Sequence, residues 1–351
     1  MDIENIIQDK TYYGGHTLHE RMKQWHIPAV SFAIIKEYKI IEAYAYGVKR
    51  RGKPDIVTAD TLFQAASISK SVFAAAVMLL AEEGKLSLDE DVHTYLKGYD
   101  FQTYDGKKHS ITLRQILSHT SGLNIHGFEG YRQKQKIPTI HQILEGASIV
   151  NSHQLMLVQE EGKNFMYSGG GYILAQKIVC EVCGKDFNDI MNHLVLEPLK
   201  MANSSYLQPY PKEEISRIAY GYDGYNLQIP GGYNIMPELS AAGLWTTPAD
   251  LSVFGIEIMK AINGNSGFMS KGTAALMTTN ISEKAPAGLG FFISERDGHK
   301  CFGHDGCNNG YHSNMVFSPE KGNGAVAMTN ADIGADIVYE ITEAIFKEYR
   351  L

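Results

Sequence analysis

The stretch FQAASISKSVFAAAVMLLAEEGKLSLDEDV, residues 63–92, has a serine and a lysine three positions apart at the start of an apolar helical run. Residues three apart share one face of a helix, so the Lys70 amine can reach the Ser67 hydroxyl. The first turn favours developing negative charge, and a desolvated lysine can be neutral enough to activate an alcohol. A capping serine followed by a solvated lysine is the alternative. The same spacing at Ser318 and Lys321 falls in a strand-to-strand turn, which is the wrong context for a nucleophile.

Other segments of the chain accompany this pair in a fixed order. They are PAVSFAIIK (28–36), SITLRQILSHTSGL (110–123), GKNFMYSGGGYILAQKI (162–178), AAGLWTTPADLSVF (241–254) and FGHDGCNNGYHS (302–313). Together with the Ser-x-x-Lys they resemble the serine β-lactamase and penicillin-binding protein superfamily, in its class C branch. The resemblance covers nearly the whole chain.

The resemblance implies a role for individual residues of this sequence. Ser67 is the expected acyl-accepting nucleophile, and Lys70 is its activating partner. Tyr167 matches the tyrosine that shuttles the proton together with the lysine, and a nearby ammonium is expected to favour its phenolate. Which of the two groups takes the first proton stays open. The backbone N–H groups of Ser67 and Cys307 are the expected oxyanion hole, and His119 is expected to be a structural anchor.

Two departures from the family pattern concern the substrate. Gly169 stands where the family has an asparagine that holds the acylamide group of a substrate. His304, Asp305 and Gly306 replace a Lys-Thr-Gly, so a permanent cation gives way to a group that is mostly neutral at pH 7, beside a carboxylate. Both changes are expected to weaken the binding of a penicillin or of a peptide that ends in D-Ala-D-Ala. A His-x-Gly at this place is similar to what esterases, D-amino-acid amidases and D-aminopeptidases of the family carry.

The composition excludes some classes of protein. The chain has 351 residues and a net charge of -7, which argues against nucleic acid as a partner. It has no membrane-spanning stretch, and the start as given is no secretion signal, so we expect a cytoplasmic protein. Cys180 and Cys183 form a C-x-x-C, which raises a zinc protein as an alternative, but the surrounding apolar run favours a buried helix end. We expect no metal and no cofactor.

The order of the patterns predicts the architecture. Two strands near the start form a hairpin with its turn at Glu37 and Tyr38, helical patterns fill the middle, and short strands return near the end. The predicted fold is α/β (α+β) and β-lactamase/transpeptidase-like, an antiparallel sheet flanked by helices plus an inserted mainly helical region. The predicted units are residues 1–85 with 235–351, and residues 86–234, with the active site at their interface.

The expected function is that of a serine hydrolase that acts through an acyl-enzyme on small esters or amides, with weak or no β-lactamase activity. The expected partner is a small-molecule ester, amide or peptide substrate. Two alternatives within the class are a D-amino-acid-specific peptidase resembling a DD-carboxypeptidase, and a β-lactamase. A third, from a different class, is a penicillin-binding sensor module that is acylated without turnover.

Overall fold

The computed structural model describes residues 3–281, 285–296 and 298–349. The strands are β1 Ala29–Lys36, β2 Lys39–Gly47, β3 Phe63–Gln64, β4 Gln102–Thr103, β5 Met156–Leu157, β6 Trp245–Thr246, β7 Phe292–Arg296, β8 His299–Asn308, β9 Tyr311–Ser318 and β10 Asn323–Thr329. The helices are α1 Ile3–Gln8, α2 Leu18–Gln24, α3 Ile68–Glu82, α4 Leu113–Leu117, α5 Ile140–Glu145, α6 Gly169–Cys183, α7 Phe187–Met191, α8 Leu239–Ala242, α9 Pro248–Ile262, α10 Lys271–Met277 and α11 Ile337–Tyr349.

A six-stranded antiparallel sheet forms the centre, in the order β2-β1-β10-β9-β8-β7. Every residue of β10 is buried, as are the first seven of β1. Strands covered on both faces read as continuous apolar runs rather than as alternating ones, and AVSFAII and GAVAM are such runs. The predicted antiparallel sheet flanked by helices is therefore confirmed.

Helices cover both faces of this sheet. On one face α11 packs against β10 and β9, and the buried apolar residues of α1, α2 and α11 form one cluster there. On the other face α9 packs against β1 and β10, and a larger cluster continues from it into α3, α6 and the helical middle of the chain. This larger cluster passes through both predicted units. The boundaries at 85/86 and 234/235 stay a prediction.

The hairpin of β1 and β2 shows how local chemistry fixes the register. Glu37 and Tyr38 lie between the strands, and both have positive φ, 51° and 62°. A two-residue turn of this kind matches the right-handed twist of its strands, although it usually contains glycine. Tyr38 makes up for the strain, since its N–H donates to the carbonyl of Gly322 at 2.7 Å and its hydroxyl to that of Pro319 at 2.7 Å.

Some elements were absent from the sequence patterns. The two-residue pairs β3 with β6 and β4 with β5 are too short to show periodicity. The π-helical turn at Asn192–Leu196, which continues α7, has no sequence pattern of its own either. Within the described residues, no helix combines the length and the apolar character that crossing a bilayer requires.

Candidate active site

Ser67 occupies the position just before α3, but it does not cap the helix. Its φ and ψ are -65° and -12°, and its side chain makes no capping hydrogen bond. Lys70 Nζ instead donates to Ser67 Oγ at 3.0 Å. The alternative that Ser67 is a helix-capping serine is therefore wrong. Its hydroxyl is instead hydrogen-bonded by Lys70, one turn further along the helix.

The turn before Ser67 is strained and firmly held. Ala66 has a φ of 49°, a left-handed conformation that costs a residue with a Cβ about 1–3 kcal/mol. The Ser69 hydroxyl donates to the Ala66 carbonyl at 2.5 Å, and Ser69 Oγ accepts a hydrogen bond from the Leu244 N–H at 3.0 Å. Ala65 in turn donates to the Leu244 carbonyl at 2.9 Å. The short strand pair of β3 and β6 thus fixes the direction in which Ser67 points.

Lys70 is a buried amine with two acceptors. Besides Ser67 Oγ, its Nζ contacts the carbonyl oxygen of Ala241, in α8, at 2.8 Å. The side chain is 2% exposed, and this burial lowers the pKa of Lys70 to about 7 against the opposing charge of Asp305. A large fraction of the amine is therefore neutral near pH 7, and a neutral amine can accept the Ser67 proton.

Tyr167 completes the group. Its hydroxyl is hydrogen-bonded to the side chain of Ser67, and Lys70 Nζ lies 4.9 Å from the centre of its ring. Burial raises the pKa of Tyr167 above its usual range, opposed by the Ser67 hydrogen bond and reinforced by the charge of Asp305. The expectation that the phenolate would be favoured is wrong in direction, because burial has the largest effect on the pKa of this hydroxyl and disfavours its charged form. The phenol is a proton donor in the resting site.

His119 positions this tyrosine. The His119 ring stacks on Tyr167 with centroids 4.2 Å apart, and its Nδ1 accepts a hydrogen bond from the Ser168 N–H at 3.0 Å. Burial lowers the pKa of His119 well below its ordinary value, so the ring is neutral and Nδ1 is free to accept. The predicted role as a structural anchor agrees with these contacts.

A cleft of about 460 Å³ opens beside Ser67. One wall is aromatic and is formed by His126, Phe128, Phe165, Tyr167 and Phe292. His304, Asp305 and Cys307 of β8 also line the cleft, and the His304 ring lies beside Phe292 with centroids 4.9 Å apart. Apart from Tyr167, sequence reasoning missed the aromatic wall, because its members come from separate loops and from β7 and share no spacing.

The predicted substrate-binding residues do not all reach this cleft. His304, Asp305 and Cys307 line it, but Gly169 is not among the described residues that do. Gly169 is the first residue of α6, and a Cβ there would lie 2.9 Å from Phe128 Cε2 and 3.1 Å from the carbonyl oxygen of His126. The glycine makes room for the loop that carries the aromatic wall.

Gly306 acts through the backbone. A Cβ at this position would lie 2.2 Å from the carbonyl oxygen of Ala65, so β8 passes directly against the turn before Ser67. This close approach puts the backbone of Cys307 beside the nucleophile turn. The Ser67 N–H precedes the first helical turn, where backbone N–H groups have no intrahelical acceptor.

The side chain of Cys307 belongs to a separate polar group. Its Sγ lies 3.6 Å from His312 Nε2, which is 3.3 Å from Asp332 Oδ1. Burial opposes a charge on His312, yet hydrogen bonds with Asp332 and Cys307 raise its pKa to about 9. The imidazolium of His312, on β9, therefore lies between Cys307 of the neighbouring strand β8 and Asp332 in the loop after β10.

The C-x-x-C pair lies far along α6 from this group. Cys183 is the last residue of α6, and both thiols are free. Burial raises the pKa of Cys180 to about 12, so its thiol is protonated. In the described ranges of the chain, no group of three or more His, Cys, Asp or Glu side chains is arranged to hold a metal ion.

The fold and the arrangement of Ser67, Lys70 and Tyr167 agree with the result of a comparison with known protein families. Residues 16–348 match the family described as Beta-lactamase, so the chain belongs to that family. The predicted membership in the serine β-lactamase and penicillin-binding protein superfamily is confirmed.

Curated relatives point to the same family. The chain is 25% identical over 320 residues to "Protein flp" of Staphylococcus aureus (strain N315), a match that covers 88% of this chain and 61% of the relative. It is 24% identical over 238 residues to the "Putative penicillin-binding protein PbpX" of Bacillus subtilis (strain 168), covering 67% of this chain and 54% of the relative. The chain thus spans less than two thirds of the length of these relatives.

Solved structures share the fold. The octameric penicillin-binding protein homologue from Pyrococcus abyssi superposes with a TM-score of 0.79 at 24% identity, covering 100% of this chain and 78% of the other. The D-amino acid amidase from Ochrobactrum anthropi SV3 has a TM-score of 0.79 at 21% identity and is covered completely, as is this chain.

Proposed function

We propose that the chain is a serine hydrolase that forms an acyl-enzyme on Ser67 from small esters or amides. The observation that carries this proposal is the buried Lys70 amine, 3.0 Å from Ser67 Oγ and with its pKa lowered to about 7. Activation of a serine requires a base that contacts its hydroxyl and has a pKa near the working pH.

The protonation states suggest the order of the acylation steps. Neutral Lys70 takes the Ser67 proton while Oγ bonds to the substrate carbonyl carbon, and the carbonyl electron pair moves onto oxygen. The N–H groups of Ser67 and Cys307 would stabilise that oxyanion by about 3–4 kcal/mol each. As the bond to the leaving group breaks, Tyr167 gives the leaving group its hydroxyl proton and is reprotonated by Lys70. Water then repeats the sequence on the acyl-enzyme.

The residues of β8 that line the cleft favour the binding of uncharged substrates over that of β-lactams, which carry a carboxylate. Among the described residues that line the cleft there is no lysine or arginine, so a substrate carboxylate meets no permanent cation. Burial lowers the pKa of His304 to about 4, so this ring does not supply one near neutral pH either. We therefore propose an esterase or amide hydrolase with weak or no β-lactamase activity, close to the class C branch.

A D-amino-acid-specific amide hydrolase is a second candidate. It is supported by the complete mutual coverage with the D-amino acid amidase fold and by the aromatic wall, which could hold a bulky side chain. A penicillin-binding sensor module is the third. Turnover separates it from the hydrolases, since a sensor releases one equivalent of product and stops.

The purified protein is expected to cleave short-chain p-nitrophenyl esters readily and nitrocefin poorly, and His304→Lys should shift the ratio of kcat/KM values toward nitrocefin. A charge-assisted hydrogen bond to the β-lactam carboxylate is worth about 1.5–3 kcal/mol, which is roughly 10–150-fold in rate. Steady-state assays with both substrates measure the ratio. A wild-type kcat/KM for nitrocefin on the order of 10⁵ M⁻¹s⁻¹, with negligible ester cleavage, would refute the proposal.

Gly306→Ala is expected to reduce ester hydrolysis by on the order of 10²-fold, because the added methyl group pushes β8 away from the carbonyl of Ala65 and displaces the reacting groups by about 1 Å. Gly267→Ala is the matched control, since a Cβ there has no neighbour within 4 Å and the backbone is not left-handed. Rates are compared at a temperature where both variants are folded by circular dichroism. Equal activity of the two variants would show that β8 does not have to approach the turn so closely.

A further inference from the structure

Cys307 carries the one cysteine thiol that is exposed among the described residues, and it lines the cleft beside Ser67. Cys301 is buried. Burial raises the pKa of Cys180 to about 12 and that of Cys183 above its ordinary value. A thiol reacts as its thiolate, and only where a reagent can reach it. Access therefore distinguishes Cys307 from the other three cysteines.

An imidazolium lies directly against this sulfur. Cys307 and His312 are paired across β8 and β9, and His312 Nε2 is 3.6 Å from Cys307 Sγ. The same nitrogen lies 3.3 Å from Asp332 Oδ1, and a carboxylate can only accept, so Nε2 carries a hydrogen. Burial opposes a charge on His312, yet the hydrogen bonds with Asp332 and Cys307 raise its pKa to about 9. Near neutral pH the sulfur therefore has a cationic donor beside it.

Two carboxylates lie near this pair, and each has partners of its own. Asp332 Oδ1 accepts a backbone N–H at 2.7 Å in addition to its contact with His312. Asp305 is two residues before Cys307 on β8 and so lies on the same face of the strand, where its side chain is hydrogen-bonded to the Tyr339 hydroxyl. The charged group in contact with the sulfur is the His312 imidazolium. A cation beside a thiol favours the thiolate, which is the form that oxidants attack.

We propose that Cys307 is an oxidation site: hydrogen peroxide converts its thiol to a sulfenic acid, and the added oxygen obstructs the cleft until a low-molecular-weight thiol reduces it. The oxidation itself depends on the pair of Cys307 and His312. Its effect on turnover rests on the proposed acylation at Ser67, since it regulates that same cleft.

The oxidation balances with the groups of this pair. The Cys307 thiolate attacks one oxygen of hydrogen peroxide, so that an S–O bond forms while the O–O bond breaks and hydroxide leaves. The hydroxide takes the proton of the His312 imidazolium and becomes water. Sulfur loses two electrons and the peroxide gains them. Two molecules of a small thiol reverse the change and yield the Cys307 thiol, their own disulfide and water.

The position of Cys307 explains both the effect and its persistence. The residue lines a cleft of about 460 Å³, and its N–H is one of the two proposed oxyanion donors, so an oxygen added to its sulfur takes up space next to the reacting carbonyl. Cys301 is six residues away on the same strand, which is roughly 20 Å. A disulfide needs Cα atoms within about 7 Å, so Cys301 cannot resolve the sulfenic acid and an external thiol is required.

Labelling with dimedone, which traps sulfenic acids, tests the oxidation. Ser67→Ala is treated with hydrogen peroxide at pH 7 and then with dimedone, and peptide mass spectrometry locates the adduct, so the result is independent of any hydrolysis. The adduct is expected on Cys307 in preference to Cys183. An adduct on Cys183 in preference to Cys307, or none on Cys307, overturns the proposal.

Substitutions of His312 in the same background identify the cause of the reactivity. His312→Gln removes the cation and should slow the labelling of Cys307 roughly 10-fold or more, whereas His312→Lys supplies another cation and should recover part of the rate. Rates are compared for variants that are folded by circular dichroism. An unchanged rate in His312→Gln would show that the imidazolium does not activate the sulfur and would overturn the proposal.

Turnover of p-nitrophenyl acetate by the wild-type protein tests the consequence. The fraction of the rate lost in peroxide should equal the labelled fraction of Cys307, and dithiothreitol should restore it, whereas oxidised methionines need a reductase. Cys307→Ala should keep its own untreated rate in peroxide, and Cys183→Ala, the matched control, should be as sensitive as the wild type. A loss that persists in Cys307→Ala, or full turnover by fully labelled protein, overturns the proposal. No ester turnover before peroxide refutes the hydrolase proposal instead, and the labelling of Ser67→Ala still decides the oxidation.

Discussion

Ser67→Ala is expected to lower kcat for ester hydrolysis by on the order of 10³-fold or more, because the covalent route through the acyl-enzyme disappears. The same variant should lose covalent labelling by a fluorophosphonate. Rates are measured with p-nitrophenyl acetate, and the adduct is located by peptide mass spectrometry. An adduct on Ser121 or Ser168 in the wild-type protein would contradict the assignment.

Ser318→Ala is the matched control for that experiment. Ser318 and Lys321 repeat the Ser-x-x-Lys spacing, but β9 ends at Ser318 and the turn to β10 follows. The Ser318 Oγ is buried without a hydrogen-bond partner among the described residues, so its removal leaves no other group unpaired. Its labelling and its activity should match those of the unchanged protein.

Lys70→Ala and Tyr167→Phe are expected to be almost as damaging singly as together, because the two groups pass one proton. Tyr167→Phe keeps the ring that stacks on His119, so the loss reports on the hydroxyl rather than on packing. A double-mutant cycle on kcat/KM measures the coupling. Fully additive losses would show that the two residues do not share the proton. Tyr225→Phe, at a side chain that is 86% exposed, is the control.

The pH dependence follows from the same pair. Burial lowers the pKa of Lys70 to about 7, so the neutral base disappears as the pH falls through that value. The kcat/KM for a neutral ester should therefore rise with pH through about 7 and level off above it. In Lys70→Ala the residual rate should lack this acidic limb. A wild-type profile flat between pH 5 and 9 would show that another group is the base.

Part of this site could be predicted from short-range patterns. The spacing of Ser67 and Lys70 places both on one helix face, and the apolar run after them predicts α3 almost to its last residue. Tyr167 could be found only through the family resemblance, because a single tyrosine before a glycine run has no signal of its own. The late hairpins were predictable for a local reason, since their turns and strands are contiguous in the sequence.

The remainder depends on contacts between distant segments. The direction of the Tyr167 pKa shift was predicted wrongly, because the sequence shows the nearby lysine but not the burial that raises the pKa of the hydroxyl. From the sequence, Gly169 was interpreted as the loss of an asparagine that would bind the substrate. In the structure a Cβ at Gly169 would lie 2.9 Å from Phe128 Cε2, so the position packs against the loop that carries Phe128. The His304 ring donates a hydrogen bond through Nδ1 to the carbonyl oxygen of Asp305, the next residue. No spacing rule contains that contact.

The pairing of β1 with β10 has a consequence for how the protein is made. Val30 lies opposite Thr329, so these strands meet only after the intervening segment, about 300 residues, has left the ribosome. At about 5–20 residues per second, that interval is roughly 15–60 s. During it the nascent chain exposes an apolar hairpin and an incomplete nucleophile turn. The proposed active site is therefore complete only after the final hairpins dock, and a prematurely terminated translation product carries Ser67 without β8, the strand that passes against its turn.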